Sequence, residues 1–236
     1  QNNPKLAWEA AQYASSYNVY IGTSSDLSDA EPVKVTTNYY KTENLSNNTR
    51  YYWTVEAVNE QGTTSTTSGT WSFVTTLDVP QNISANPTQI YEGESTMISW
   101  SAPENINGSI DYNIYVNGDL KGNLEDINLK DISYEIQDLG HNIIGHEISV
   151  TAVYDGLGES GHAKCNVQVC GYGKMDITVK DGETPIKGAT VVLNGTDMLN
   201  NAVEEFTGST NEAGVLLVEN VKAGEYTVTV SIFGYE

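Results

Sequence analysis

The sequence predicts an all-β protein made of three consecutive β-sandwich domains. Three observations carry this. Apolar and polar residues alternate with a period of two along most of the chain, two stretches repeat at a fixed offset, and the composition is one of strands and turns, with 15 Tyr and 21 Gly against 3 Met and 3 Phe. A chain of 236 residues is long for one domain and comfortable for two or three.

Leu6 and Trp8 alternate with Ala7 and Glu9. Tyr17, Val19 and Ile21 alternate with Asn18 and Tyr20, and Tyr51, Trp53, Val55 and Ala57 with Tyr52, Thr54 and Glu56. Each pattern is that of a half-buried strand. Turn clusters such as Ser46-Asn47-Asn48 and Asn107-Gly108-Ser109 separate them. The Ala-rich stretch from Glu9 to Ser16 is too short to make a helix. The repeat sets the domain length. Tyr17-Asn18-Val19-Tyr20-Ile21 returns as Tyr112-Asn113-Ile114-Tyr115-Val116 and Val55-Glu56-Ala57-Val58 as Val150-Thr151-Ala152-Val153, both at an offset of 95, while Leu6-Ala7-Trp8 returns as Ile98-Ser99-Trp100 at an offset of 92. Matches in one order at one spacing mean two copies of one module, of the size of an immunoglobulin-like sandwich. The predicted domains are 1–77, 78–171 and 172–236, with Thr76-Leu77-Asp78-Val79-Pro80 joining the first two and Gly171-Tyr172-Gly173 ending the second. The last part has its own strands at Ile177–Val179, Ala189–Leu193, Val215–Val218 and Tyr226–Val230.

The charge balance narrows the partners. With 31 acidic and 11 basic residues the formal net charge is −20, and Arg50 is the single arginine. Such a surface repels phosphate backbones, which speaks against nucleic acid and anionic membranes. No apolar run approaches the roughly 20 residues of a membrane span, so no membrane insertion is expected. No secretory leader is visible at Gln1-Asn2-Asn3-Pro4, and the chain starts and stops close to strand-like runs, as a piece of a larger protein would. Cys165 and Cys170, five apart, fall on opposite faces of a straight strand, which predicts free thiols; a short-loop disulfide needs a bend between them, and His162 adds no common metal-ligand spacing.

The first two modules resemble fibronectin type III domains. Leu45-Ser46-Asn47-Asn48-Thr49-Arg50-Tyr51 is similar to the family's L-x-P-x-T-x-Y run, with Asn47 in the proline position. The resemblance implies that Trp8 and Trp100 are core tryptophans of the B strands. It also implies that the Tyr51 hydroxyl closes a corner by bonding a nearby backbone carbonyl. In the second module the corner position falls on His146, which either makes the bond through a ring nitrogen or loses the corner. The first module lacks room for an A strand before Trp8. The third unit resembles carboxypeptidase regulatory-like (transthyretin-like) domains, on Pro185-Ile186-Lys187-Gly188-Ala189-Thr190-Val191, Thr210-Asn211-Glu212-Ala213-Gly214 and Val221-Lys222-Ala223-Gly224-Glu225-Tyr226. This resemblance implies a unit truncated at its C-terminus, with Lys180 on its first strand. No Lys–Asn isopeptide bond is expected, because Val230 stands in the acid position. The combination resembles secreted bacterial, Bacteroidetes-type, multidomain proteins, which implies an extracellular or cell-surface location.

Catalytic patterns are missing. Gly158-Glu159-Ser160-Gly161 is one residue short of a nucleophile elbow and reads as a hairpin turn; His146-Glu147 opens like H-E-x-x-H but continues to Val150. Three histidines, His141, His146 and His162, leave few general bases, and no cofactor is expected. Glu125, Asp126 and Asp131 are candidates for a calcium site, though a solvated acidic loop is the plainer reading without D-x-D-x-D-G order. Sequons at Asn44, Asn47, Asn82, Asn107 and Asn194 read as turn asparagines. The candidate ligand face is Tyr20, Tyr39, Tyr40 and Tyr52 on the outside of the first module, where sugars stack on exposed rings; cross-strand tyrosine pairing that shields the sheet is the plainer alternative. The expectation is therefore a non-catalytic extracellular segment that spaces, displays or adheres. Its partners would be other domains of its parent, and a glycan or a host or surface protein. The alternatives are a carbohydrate-binding accessory to a glycan-degrading enzyme and an accessory to a secreted peptidase or adhesin.

Overall fold

The computed structural model describes residues 3–65, 69–104, 106 and 109–234; the expected turn at Asn107-Gly108 lies outside the described residues. The fold is all-β, and none of the described residues is helical. By backbone packing the chain forms two compact units, residues 1–83, 100–132 and 149–164, and residues 84–99, 133–148 and 165–236. The division does not follow the three expected modules: it runs through the middle one.

The first set of strands is β1 (Lys5–Ala7), β2 (Ser16–Gly22), β3 (Val33–Val35), β4 (Tyr39–Lys41), β5 (Arg50–Asn59), β6 (Gly62–Ser65) and β7 (Trp71–Val74). They form a two-stranded sheet, β1-β4, and a sheet ordered β3-β2-β5-β6 with β7 also on β5. Tyr17, Val19 and Val55 are the buried centre, with Trp8, Val35, Tyr40 and Trp53 packed around them. The register follows the alternation: Tyr17 faces Ala57, Val19 faces Val55 and Ile21 faces Trp53 on the inner side. Trp8 follows β1 instead of lying within it, a correction to the expected strand; its ring still meets Tyr17 edge-on, with centroids 5.3 Å apart and planes at 68°.

The second set is β8 (Gln81–Asn86), β9 (Gln89–Tyr91), β10 (Thr96–Ser101), β11 (Ile110–Val116), β12 (Asp119–Ile127), β13 (Asp131–Ile136), β14 (Asn142–Tyr154), β15 (Gly158–Glu159) and β16 (Ala163–Cys170). One sheet is ordered β13-β10-β8 and the other β12-β11-β14-β16-β9, with β15 on β14. In the first unit the buried side chains here are Trp100, Ile110, Tyr112, Ile114, Val150 and Ala152. The repeat is visible in three dimensions. Trp100 meets Tyr112 edge-on at 5.4 Å and 63°, the same pair as Trp8 and Tyr17. In the second unit Ile90, Ile98, Ile136, Ile148, Val167 and Val169 are buried.

The third set is β17 (Tyr172–Thr178), β18 (Lys180–Asp181), β19 (Thr184–Pro185), β20 (Thr190–Asp197), β21 (Ala202–Ser209), β22 (Val215–Lys222) and β23 (Gly224–Ser231). Sheets β21-β20-β23 and β17-β22 enclose a small core of Val191, Leu193 and Val218. Lys180 sits on the exposed two-residue β18, not on the first strand β17, which corrects the expected placement. Gly195 in β20 is needed because a Cβ there would lie 2.1 Å from the Glu225 carbonyl oxygen.

The buried hydroxyl of Tyr112 has no hydrogen-bond partner among the described residues, and burial raises its pKa to about 12. A buried hydroxyl without a partner costs stability. Tyr112→Phe keeps the ring against Trp100 and removes that cost, so the urea midpoint should rise by the equivalent of about 1 kcal/mol. A fall in the midpoint would mean that the hydroxyl has a partner.

Candidate functional site

No group of three or more His, Cys, Asp or Glu side chains placed to hold a metal ion is assembled among the described residues. The side chains that come together do so in two kinds of place: where one strand set hands over to the next, and on the outward faces of the repeated sheets.

The first handover lies within the first unit. Asn48 has a left-handed backbone (φ 52°), which turns its side chain and that of Asn47 toward Asp78. Asn47 Nδ2 donates to Asp78 Oδ1 at 2.7 Å and Asn48 Nδ2 to Asp78 Oδ2 at 2.9 Å, while the Asp78 amide donates back to Asn48 Oδ1 at 2.7 Å. From the second strand set, the Tyr154 hydroxyl donates to the Asp78 carbonyl at 2.8 Å and the Gly156 carbonyl accepts from Arg50 Nη2 at 2.9 Å. Burial, with the Asp78 carboxylate nearby, pushes the Tyr154 phenol up. These groups border a cavity of about 760 Å³ lined by Asn47, Asn48, Asp78, Tyr154, Asp155 and Leu157 among others. The residues read as a linker, Thr76–Pro80, are thus held by side chains on both sides.

The second handover lies within the second unit. Tyr91, 1% exposed, packs its ring 5.4 Å from that of Tyr172 and donates its hydroxyl to the Ala223 carbonyl at 3.3 Å. Lys222 Nζ sits 4.4 Å from the Tyr91 ring centre and 3.8 Å from Asp197 Oδ2. Burial, then the Asp197 carboxylate, raises the Tyr91 pKa to about 12. Asp197 is itself 3% exposed. Its Oδ1 accepts from the Leu199 and Asn201 amides at 2.9 and 2.8 Å, and its Oδ2 from Asn201 Nδ2 at 3.2 Å. Burial works to raise its pKa, but the Asn201 and Leu199 hydrogen bonds and Lys222 hold it below the usual carboxylate value.

On the outward face of the first set, Tyr20 donates to Glu56 Oε2 at 2.9 Å. Tyr20 faces Thr54 and Tyr52 faces Gly22, so the two rings lie on one face as diagonal neighbours. Tyr39 and Tyr40 do not join them, which corrects the expected four-tyrosine face. Both are on β4 in the other sheet, where Tyr40 faces Leu6 and packs into the core, and Tyr39 points outward beneath Lys5, 4.0 Å from its ring centre. The equivalent face of the second set carries a denser cluster that the sequence reading missed. Glu159 Oε1 accepts from Tyr115 at 2.6 Å, from Asn113 Nδ2 at 3.1 Å and from Thr151 Oγ1. His162 lies edge-on to Tyr115 at 5.1 Å and meets Ser149 Oγ through Nδ1 at 3.0 Å. Burial pushes Glu159 up and the three donors outweigh it, leaving its pKa lowered. The offset of 95 was the available signal: it carries Asn18 and Tyr20 onto Asn113 and Tyr115. It carries Glu56 onto Thr151, however, so the acid comes instead from β15.

The corner residues differ in detail. Tyr51 accepts from the Ser46 amide at 3.2 Å, the reverse of the expected donation to a carbonyl. His146 Nε2 lies 2.8 Å from the Gly140 carbonyl, so the ring-nitrogen alternative is the one realised. Gly158-Glu159 begins the return strand β15, and the turn itself is Asp155-Gly156-Leu157. Glu125 and Asp126 sit on β12 and Asp131 on β13, in different sheets. Cys165 and Cys170 are free thiols, and burial raises the pKa of Cys165 to about 11 and that of Cys170 as well.

A family model described as Rha78A-like, N-terminal immunoglobulin domain, matches residues 1–78. No curated protein matches the chain. The fibronectin(III)-like modules of Clostridium thermocellum CbhA are 17% identical, with 72% of this chain and 86% of that one covered and a TM-score of 0.35. The FN1–FN3 domains of chicken CNTN1 are 12% identical over 97% and 88% at 0.28, and the central fibronectin-III array of RIM-binding protein is 13% identical over 98% and 91% at 0.31. These scores are low, and the fold is read from the strands themselves: it is all-β, of immunoglobulin-like β-sandwich type.

Asp197 has a depressed pKa in the folded chain, so its contribution is present above the unfolded carboxyl pKa of about 3.9 and is lost as pH falls below it. Urea midpoints measured from pH 6 down to pH 3 should fall, and Asp197→Asn should flatten part of that fall. An unchanged slope in the variant would show that Asp197 is not the group responsible.

Proposed function

We propose that this chain is a non-catalytic extracellular or cell-surface segment that spaces, displays or adheres as part of a larger bacterial protein. The observation that carries the reading is the double hold on Asp78. A linker gripped by Asn47 and Asn48 on one side and by Tyr154 on the other transmits orientation, where a solvated linker would act as a hinge. Tyr91 and Tyr172 support it in the same way within the other unit. The carboxypeptidase regulatory-like reading of the last strand set belongs to this proposal, since such units accompany secreted multidomain chains.

Asn48→Ala removes the two hydrogen bonds between Asn48 and Asp78, at about 1 kcal/mol each, and leaves those from Asn47 and Tyr154. Limited proteolysis should leave the wild-type Thr76–Pro80 segment intact and cut the variant there at least about tenfold faster. A wild-type linker that is cut as readily as an unfolded segment would refute the spacer reading.

A second reading, a carbohydrate-binding accessory to a glycan-degrading enzyme, is supported by Tyr20 and Tyr52 sharing one outward face beside Glu56. A pyranose stacks its C–H face on such rings and donates hydroxyl hydrogens to the carboxylate. On a glycan array, Tyr20→Ala and Tyr52→Ala should abolish any signal, while Tyr39→Ala on the other sheet leaves it unchanged. Absence of any hit, or equal loss with all three variants, removes this reading.

A further inference from the structure

The polar cluster on the outward face of the second strand set is more closely built than a sheet surface requires. Along β14, Val150 and Ala152 point into the core, yet Ser149 and Thr151 on the opposite side are also buried, at 2% and 0% exposure. The side chains that reach these two hydroxyls are His162, through Nδ1 at 3.0 Å, and Glu159. Glu159 stands opposite Val153 on β15, and parity puts it on the same face as Ser149 and Thr151. All of these residues belong to the first unit.

The cluster engages one side of the carboxylate and leaves the other open. Glu159 Oε1 accepts from Tyr115 at 2.6 Å, from Asn113 Nδ2 at 3.1 Å and from Thr151 Oγ1, whereas Oε2 accepts from no group among the described residues. Glu159 is exposed, and none of the ion pairs among the described residues includes it. Burial works against its charge, but the three donors outweigh it, so the carboxylate is ionised at neutral pH. Beside it the His162 and Tyr115 rings stand 5.1 Å apart at 63°.

We propose that Glu159, Tyr115 and His162 form a binding site for a primary alkylammonium group, of the kind a lysine side chain carries. A carboxylate oxygen that is oriented and unpartnered is an acceptor for a charged N–H. Two rings at a steep angle next to it offer a cation an aromatic face within about 6 Å. The other candidate ligands fit less well. A pyranose needs an open ring face, and here His162 stands against the Tyr115 ring while the Tyr115 hydroxyl is already engaged. A metal ion would lack a third side-chain ligand among the described residues. A quaternary ammonium has no N–H to give to Oε2. The net charge of −20 draws cations to the chain, and the oriented carboxylate gives them one place to stop. The proposal rests on neither the spacer nor the carbohydrate reading.

Titration of the whole chain with the tripeptide acetyl-Gly-Lys-Gly-amide, followed by NMR, should shift the Tyr115 and His162 ring signals saturably at millimolar concentrations. The norleucine analogue should leave them in place, and the trimethyl-lysine analogue should bind more weakly. n-Butylammonium separates the sources: binding weaker than the tripeptide's assigns the site to a lysine of a partner protein, and equal binding assigns it to a free amine. Glu159→Gln keeps an acceptor for the three donors and removes the charge, so the tripeptide's affinity should fall by roughly tenfold or more. Glu43→Gln, an exposed position on the first strand set, removes the same charge elsewhere and should change the affinity by less than about twofold. Absence of saturable shifts overturns the proposal. So does an equal loss in the two glutamine variants, which would mean general attraction to an acidic surface. Methyl glucoside moving the same signals at the same concentration overturns it as well, since the site would then take sugars. The comparison of ligands needs no variant to fold.

Discussion

The edge-on contact between an indole and a phenol across two sheets is the interaction on which the repeated part of the chain depends. Each of these strands has one apolar face, and a sheet with one apolar face is stable only when a second sheet covers it. Trp8 beside β1 meets Tyr17 on β2, and Trp100 on β10 meets Tyr112 on β11; in both cases the rings come from opposite sheets. An aromatic pair of this kind adds roughly 0.5–1.5 kcal/mol beyond its buried area and fixes the angle at which the sheets approach. Both indole nitrogens are buried with no hydrogen-bond partner among the described residues, so packing alone holds these rings. The last strand set has no such pair. Its core is three aliphatic residues, and its apolar face runs out at β23.

That contrast explains which parts of the molecule were legible in sequence. Period-two alternation reports which side chains face inward, and the repeat reports that two stretches solve the same packing problem. Both are local or near-local signals, so the all-β class could be read in advance. Parity turns Tyr20 and Tyr52 outward on their own strands, and the pairing of β2 with β5 sets them on one face. It is not enough for Tyr39 and Tyr40. Their side depends on which sheet β4 joins, and that is decided by its pairing with β1 more than thirty residues away.

The Glu159 cluster and the hold on Asp78 were invisible for a related reason. Tyr115 and Glu159 are 44 positions apart, and Asn47 and Asp78 are 31 apart. No spacing rule links a turn asparagine to a linker aspartate, because the distance between them is fixed by the closing of the sandwich. The Tyr51 corner shows the same limit on a smaller scale. The sequence predicts a hydroxyl–backbone bond, but whether the phenol donates or accepts depends on whether an amide or a carbonyl lies above it; here it is the Ser46 amide.

The distribution of charge ties these features together. Among the cations that lie near carboxylates or rings, Lys174 with Glu219 and Lys187 with Glu212 are exposed pairs worth little, Lys5 lies over the Tyr39 ring, and Lys222 serves the Tyr91–Asp197 contact. The remaining negative charge has no counterpart within the chain and spreads over the sheet surfaces. The contacts around Asp78 and Tyr91 each set one carboxylate among amides, phenols and rings: Asp78 among Asn47, Asn48 and Tyr154, and Asp197 beside Asn201, Lys222 and Tyr91.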